Sequence, residues 1–476
     1  MLNQSFTTDN FENIYDIENR KSTITEYLGV EYKEILAQIK SLQNEISQIK
    51  RKRLDDRTDD ERQRLVDSKQ EQDELGVKKK EIRHNELDNI SKDVNSKHFK
   101  FNLQSRADDI FVIQDTREVF FAMKQLQYNV RKTFNVKQSS RHLILSQIKL
   151  LLNDSSPKYV IRTDVSKFFE SIPQDKLLRR IDDNTLLSTQ SKTFIKQILE
   201  DYNSKKDTAK IGADKGVPRG VGVSSYLSEL YMKDIDNQIR NMQDVVYYAR
   251  YVDDIFIIIS PSLPKKEMNH YFDEIKSIFQ LEHLIIHTSG DKYNLMDLSE
   301  KVSNDTHFDL TYLGYNIYIE QKTNNTTQTT FGLSQNKKEK IEDRVLKSIN
   351  YFNIKSKFDI KAAKKDLQLC LRFLTTNTKL SGAKSRVKAG VFYSNDLLDK
   401  CFEKDINTLD NKLKGKWLSE ISPYDNLFTN KQDKQQYTDD LKNCIITRYS
   451  FLKGFVEKTY HIFSKDELKT IKKILQ

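Results

Sequence analysis

The sequence predicts an α+β chain, in which an antiparallel sheet with helices on one face follows an N-terminal helical hairpin and precedes an all-helical C-terminal region. Three observations carry this. From Tyr32 to Val94 the chain is dense in charge, has no proline and only Gly76 as glycine. There Ile35, Ile39, Leu42, Ile46 and Ile49 repeat at alternating spacings of four and three, the seam of a coiled coil. Between Tyr159 and about Glu320, short β-branched and aromatic runs (YVIRTDV, VVYYARYV, IFIII, TYLGYNIYI) alternate with helical ones (PQDKLLRRI, SSYLSELYMKDIDNQIR, KKEMNHYFDEIKSIF). From about Leu333 the strand texture ends and helical patterns run on to Gln476.

These textures divide the 476 residues into four parts: an extension over 1–97, a basic helical stretch over 98–158, the α+β layer over 159–332 and the helical region over 333–476. In the extension the helical hairpin occupies about 32–94, with its turn expected between Arg53 and Asp60; Leu65, Leu75 and Ile82 form a poorer second stripe. It reads either as a solvated structural arm or as a surface that grips RNA or a protein partner. In the second part NVRKTFNVKQSSRHLILSQIKLLL sets Arg131, Lys132, Lys137, Arg141 and Lys149 among apolar residues. Lysine and arginine outnumber aspartate and glutamate 79 to 69, a balance that favours a polyanionic partner. Cys370, Cys401 and Cys444 lie far apart without C-x-x-C spacing, which argues against a zinc site or disulfide framework and for buried thiols in a reducing compartment. No run approaches the roughly 20 apolar residues of a membrane span, and MLNQSFTTDNFENIYDIENR lacks a basic start before an apolar core. A cytoplasmic protein is expected.

VVYYARYVDDIFIII places Asp253 and Asp254 side by side in an otherwise apolar stretch. As a hairpin, Val245–Arg250 and Ile255–Ser260 are its strands and Tyr251-Val252-Asp253-Asp254 its turn. Aspartate suits turns, but two adjacent like charges at an apolar tip repel unless a cation sits there. YVIRTDVSKFFESIP puts Asp164 at the end of another apolar strand, ahead of Phe168-Phe169. Alone, Asp164 reads as a strand-end or capping aspartate. If the two strands are neighbours, three carboxylates converge and can hold two Mg2+ ions, or Mn2+ in their place. Such a pair activates an attacking hydroxyl and steadies a leaving oxygen in phosphoryl transfer.

Four motifs, in this order, resemble those of the reverse transcriptases. RTDVSKFFESI resembles the first palm motif with its metal aspartate, and GVPRGVGVSSYLSELYM the segment lining the nucleotide and template site. YVDD matches the Y-x-D-D motif, and FDLTYLGYNI (Phe308–Ile317) resembles the primer-grip hairpin. The resemblance implies a right-hand polymerase with fingers elements over 98–158, fingers and palm over 159–332 and a thumb within 333–476. It implies an RNA-directed DNA polymerase, a nucleotidyltransferase that binds RNA and adds dNTPs to a DNA product. Asp164 and Asp253 would ligate both ions, with Asp254 as third carboxylate and the Val165 carbonyl as a further ligand. Phe169 falls at the steric gate against a 2′-hydroxyl; the alternative is a ring packed in the core. Pro218-Arg219-Gly220 stands where most members read P-Q-G, and Arg219, which cannot accept a hydrogen bond, alters nucleotide or template contacts there. Gly216, Gly220 and Gly222 leave room for close backbone approach. Tyr251 and Leu313-Gly314-Tyr315 would touch nucleic acid, as would Lys384, Arg386 and Lys388. Arg131 or Arg141 would grip the triphosphate, and Lys292 would protonate the leaving pyrophosphate. A plain surface cation is the alternative for each of these basic residues.

The sequence shows no RNase H, maturase or zinc-bearing endonuclease pattern. With P-R-G in the palm, a helical-hairpin insertion and a long helical C-terminus, it resembles the bacterial abortive-infection and defence-associated reverse transcriptases that protect against phage. NQSFTTDNFENIYDIENR, VKQSSRHLILSQI and GVPRGVGVSSYLSEL are most similar to the type 3 systems, in which two reverse transcriptases operate with a noncoding RNA. That resemblance implies a dedicated RNA template or no conventional template, a second reverse transcriptase or further copies of the chain as partners, and priming from a protein side chain as an option among 22 tyrosines. Two other readings stay open: a retron-type enzyme copying its own structured RNA, and a catalytically silent RNA-binding scaffold. Against the scaffold stands the presence of all three carboxylates, each costly to bury unpaired.

Overall fold

The isoleucine seam closes along the helix Val30–Arg51 in the computed structural model, where Ile35, Ile39, Leu42, Ile46 and Ile49 are all buried. The structure describes residues 2–21, 24–107, 109–262, 267–300, 305–323, 326–379, 388–400 and 403–476. They fall into two units, the first comprising Met1–Gln138, Val165–Ile239 and Ile275–Ile286, the second Ser139–Asp164, Arg240–Glu274 and His287–Gln476.

In the first unit the expected hairpin is completed by the helix Asp59–Val94, which starts in a capping box between Thr58 and Glu61. Ile46, Ile49 and Leu65 form the small core of its arm, and Arg64 bridges the helices to Glu45 at 2.7 Å. One element departs from the helical texture expected over 98–152. Strands β1 (Leu103–Ala107) and β2 (Ile110–Ile113) form an antiparallel hairpin ahead of the helix Arg117–Phe134. With five and four residues, each is too short for a two-residue period to stand out beside strongly helical neighbours. The hairpin receives the glycine-rich segment: the Phe111 N–H donates to the Arg219 carbonyl at 2.7 Å. Gly220 there has φ +96°, and a Cβ would lie 2.5 Å from the Phe111 carbonyl oxygen. Only glycine fits such a place.

In the second unit β3 (Tyr159–Asp164), β4 (Val245–Tyr251), β5 (Asp254–Ile259) and β6 (Asn294–Asp297) form an antiparallel sheet in the order β4-β5-β3-β6. β7 (Thr306–Tyr312), β8 (Tyr315–Gln321) and β9 (Thr327–Leu333) make an antiparallel meander. The helix Arg141–Asn153 buries Ile144, Leu145, Ile148 and Leu152 in one core with Val160, Phe256 and Ile258 of the sheet and Tyr312, Ile317 and Phe331 of the meander. The antiparallel sheet and helices of the expected fold class are thus present. The hairpin turn is shorter than expected, because Tyr251 and Asp254 pair as its last rung and only Val252-Asp253 turn. Beyond β9 the chain is helical, with Gln335–Lys355, Ile360–Thr375 and Lys431–Arg448 contributing to a core that includes the fully buried Trp417. One short hairpin, β10 (Asn377–Lys379) with β11 (Lys388–Gly390), interrupts that region. Strands of three residues carry no period for a sequence to display.

Two glycines test these readings in opposite directions. Gly220→Ala adds a Cβ to a left-handed backbone against a carbonyl and is expected to cost about 2 kcal/mol, read as a lowered Tm. Gly76→Ala, in a helix interior with nothing within 4 Å, is expected to raise Tm through a gain of about 1 kcal/mol in helix propensity.

Candidate active site

The pairing β3–β5 sets Asp164 directly opposite Asp254, and β4–β5 sets Tyr251 opposite Asp254. Cross-strand partners share a face with Cβ atoms about 5 Å apart, so two carboxylates meet at one end of the sheet while Asp253 occupies the tip. Asp164 is 1% exposed. Burial, with Asp253 and Asp164 adding to it, pushes the Asp254 carboxyl up to about 6 against the opposing pull of Arg162 and Lys292.

Four residues around this cluster set its geometry. Arg162, buried two residues before Asp164 on the same face, donates to Asp254 Oδ1 at 3.3 Å and to the Asp291 carbonyl at 2.8 Å. Lys292, one residue on, is hydrogen-bonded to Asp164 Oδ2, and the carboxylates raise its pKa, so it is protonated at neutral pH. His287 holds the other side of Asp164: its N–H donates to the Asp164 carbonyl at 3.0 Å and its Nε2 stands 3.6 Å from Oδ1. Arg250, 5% exposed, donates to the Val252 carbonyl at 2.7 Å. That bond braces a strained turn, since Val252 has φ +61°, a conformation in which a β-branched residue is rare. Lys292 was expected here from the sequence. Arg162 and Arg250 are signalled by a charge inside the apolar runs YVIRTDV and VVYYARYV, whereas His287 carries no local signal.

The β7–β8 turn is Leu313-Gly314, with φ +45° and +78°, the both-positive pattern of a type I′ turn. Arg141, expected at the triphosphate, instead donates through Nε to the Leu313 carbonyl at 2.8 Å and stacks its guanidinium 5.6 Å from the Tyr315 ring centroid. Its position buttresses the hairpin. Lys337 lies over the same ring at 4.8 Å and donates to the Ser394 carbonyl; burial, then Arg141, push its pKa down to about 7. A cavity of about 690 Å³ opens here, lined by Tyr251, Leu313, Gly314, Arg141, Lys337, Lys340 and Arg344 among others.

The remaining expected residues lie in the first unit, on β11 of the second, or outside the described residues. Val165 bridges to Ile286. Phe169 is half-exposed while its neighbour Phe168 is buried, so the core place in FF goes to the first ring. Arg131 lies half-buried in the last turn of its helix, and the Pro218 carbonyl accepts from Ser224 Oγ at 2.8 Å, leaving the Arg219 side chain exposed. Lys384 and Arg386 lie outside the described residues, as does Cys401; Lys388 is exposed on β11.

An antiparallel sheet that ends in paired carboxylates, with a meander alongside, is the architecture of a polymerase palm. Residues 112–317 match the family model described as reverse transcriptase (RNA-dependent DNA polymerase). This segment is therefore a reverse transcriptase domain, of the RNA-directed DNA polymerase class of nucleotidyltransferases, and all four quoted motifs lie within it. No curated protein matches the chain. Among solved structures, a telomerase from Candida albicans, in complex with a TWJ fragment of telomeric RNA, aligns over 74% of this chain at 11% identity and a TM-score of 0.34. The chain spans 53% of that telomerase chain.

Polymerases of this family use divalent metal ions. Among the described residues no three His, Cys, Asp or Glu side chains stand ready as a metal cage; Lys292 and Arg162 hold Asp164 and Asp254 instead. The donor set nevertheless suits a hard cation: Asp164 Oδ1 is buried without a hydrogen-bond partner, and burial, then the neighbouring carboxylates, hold the Asp254 carboxyl up at about 6, a cost that a bound cation would offset. Asp254→Asn removes that penalty. In chelator at pH 7.5 it is expected to stabilise the protein by about 2 kcal/mol, read as a raised Tm, and to shrink the rise in Tm expected for wild type on adding Mg2+. An unchanged Tm in chelator would show that the carboxylates are already balanced.

Proposed function

We propose that this chain is a DNA polymerase that joins dNTPs to a growing 3′ end by two-metal nucleotidyl transfer. The observation that carries the proposal is the Asp164–Asp254 cross-strand pair with Asp253 at the tip. Asp164 and Asp253 would hold both ions with Asp254 beside them and the Val165 carbonyl as a further ligand. When bound, the ions supply charge for the attacking and leaving oxygens. Lys292, protonated and half-exposed at the edge of the cluster, is placed to move off Asp164 and give its proton to the departing pyrophosphate. Tyr251 and the Leu313-Gly314-Tyr315 turn would seat the primer terminus along the basic cavity, and Phe169 would exclude a ribose 2′-hydroxyl.

The same reading extends to biology. P-R-G at 218–220, the N-terminal helical hairpin and the long helical C-terminus support a role in bacterial antiphage defence, in the cytoplasm. There the chain would work on a dedicated noncoding RNA, or without a conventional template, beside a second reverse transcriptase or further copies of itself. The solvent-exposed Arg219 is a charge at the position where templating contacts are expected to differ from those of a general copying enzyme.

The test supplies purified protein with Mg2+ and each dNTP separately and together. Asp253→Ala is expected to lower incorporation by about 10³-fold or more, and a chelator to abolish it reversibly; equal incorporation by wild type and variant would sink the assignment. Sequencing the product reveals whether it copies an RNA. In the same assay Phe169→Val should admit ribonucleotides, measured as a fall of about ten-fold or more in the preference for dNTP over NTP, with dNTP incorporation retained. An unaltered preference would return Phe169 to a packing role.

A further inference from the structure

The C-terminal region presents an aromatic and cationic surface of which the polymerase reading uses only Lys388. After the helix Phe451–Val456 the chain is extended beside β10: the Asn377 N–H donates to the Thr459 carbonyl and the His461 N–H to the Asn377 carbonyl, both at 2.8 Å. In extended chain alternate residues face opposite ways. His461 and Phe463 turn inward, their rings 4.5 Å apart and Phe463 buried against Phe373. Tyr460 and Ile462 turn outward, 39% and 79% exposed. The Tyr460 ring meets Tyr393 at 5.6 Å, and Tyr393 meets Phe392 at 5.1 Å. Lys388 stands over both tyrosines at 4.9 and 6.0 Å, and Lys458 over Phe392 at 4.5 Å.

Phe392 packs on the core against Phe455 and Tyr393 is hydrogen-bonded to Tyr460, but exposed cation–π contacts are worth little to stability, so folding alone gives little reason to set Lys388 and Lys458 over these rings. Flat rings with lysines among them suit one kind of ligand well. Successive bases stack on the rings and the phosphates between them meet the lysines. The place of the patch strengthens this. Gly390, Val391 and Ser394, on the same short loop as Lys388 and Tyr393, line the basic cavity beside the β7–β8 turn.

We propose that Tyr393, Tyr460, Lys388 and Lys458 form a stacking platform for single-stranded nucleic acid that extends beyond that cavity. The proposal rests on the reading of the chain as a polymerase only for the direction from which the strand arrives. The platform is indifferent to sequence, because every base has a stackable face.

The test measures fluorescence anisotropy of labelled dT15, U15 and a 15-base-pair duplex with the full chain at several salt concentrations. Tyr393→Ala and Tyr460→Ala should each weaken single-strand binding roughly ten-fold and leave duplex binding unchanged, while Tyr460→Phe binds like wild type. Lys388→Gln with Lys458→Gln should flatten the dependence of log K on log salt by about 1.4. Comparison of dT15 with U15 tells whether DNA or RNA is favoured. Alanine variants that bind like wild type overturn the proposal, as does an equal loss in Tyr460→Phe, which would trace the effect to a hydroxyl bond. Binding is also measured with Asp253→Asn: incorporation unaffected by that change would refute the polymerase reading and leave the platform result standing on its own.

Discussion

The repulsion among three carboxylates at the end of one sheet is the constraint on which the rest of the second unit depends. Asp164 is almost wholly buried and Asp254 is pushed up to about 6, so the cluster costs free energy wherever no cation answers it. Two protein cations answer it in part. Arg162 is built into β3 itself, and Lys292 follows Asp291, whose carbonyl the same guanidinium holds. Arg162 therefore ties the second carboxylate, the Lys292 loop and the strand bearing Asp164 into one rigid arrangement. A hydrogen-bonded buried guanidinium suits that task, since its fork reaches two acceptors at fixed angles.

Two hairpin turns of this unit, β4–β5 and β7–β8, solve a common problem in different ways. Both are two-residue loops, and both have a carbonyl held by an arginine from a neighbouring position: Val252 by Arg250, Leu313 by Arg141. The β7–β8 turn sets Leu313 at φ +45° and Gly314 at +78°, and only the glycine adopts such a conformation at little cost. The β4–β5 turn keeps a valine at φ +61°, strain of about 1–3 kcal/mol that the flanking ladder must override. Strain carried by a β-branched residue at the tip bearing Asp253 and Asp254 fits a site where exact placement of side chains outweighs stability.

Much of this was legible in the sequence because it is periodic or chemically improbable. The Ile35–Ile49 seam repeats regularly over four turns, and a pair of aspartates in an apolar strand has few explanations, so the helical hairpin and the β4–β5 hairpin could be placed from residue types alone. What stayed hidden is either short or nonlocal. β1, β2, β10 and β11 are three to five residues long and show no period. His287 meets Asp164 across more than a hundred residues, and nothing in HTSGDKYNL marks it. Arg141 read as a triphosphate contact or a plain surface cation; only the fold shows its guanidinium bonded to the Leu313 carbonyl. The placement of charge within the sheet was readable, and the partner of each charge was not.

That distinction also sharpens the meaning of the basic composition. An excess of ten positive charges over 476 residues says little until positions are known. In the second unit Arg141, Lys337, Lys340 and Arg344 line one cavity, and there Lys337 falls to about 7 through burial and the nearness of Arg141. This is the mirror image of Asp254: burial first, and like charges beside it, raise the cost of ionisation. A polyanion entering the cavity would restore the lysine's charge as cations at the sheet would restore the aspartate's. The two penalties lie in one unit, on either side of Tyr251, which pairs with Asp254 on one side and lines the cavity on the other. Cations and a phosphate backbone would therefore each relieve the cost that the free protein carries, which couples their binding to a single folded arrangement.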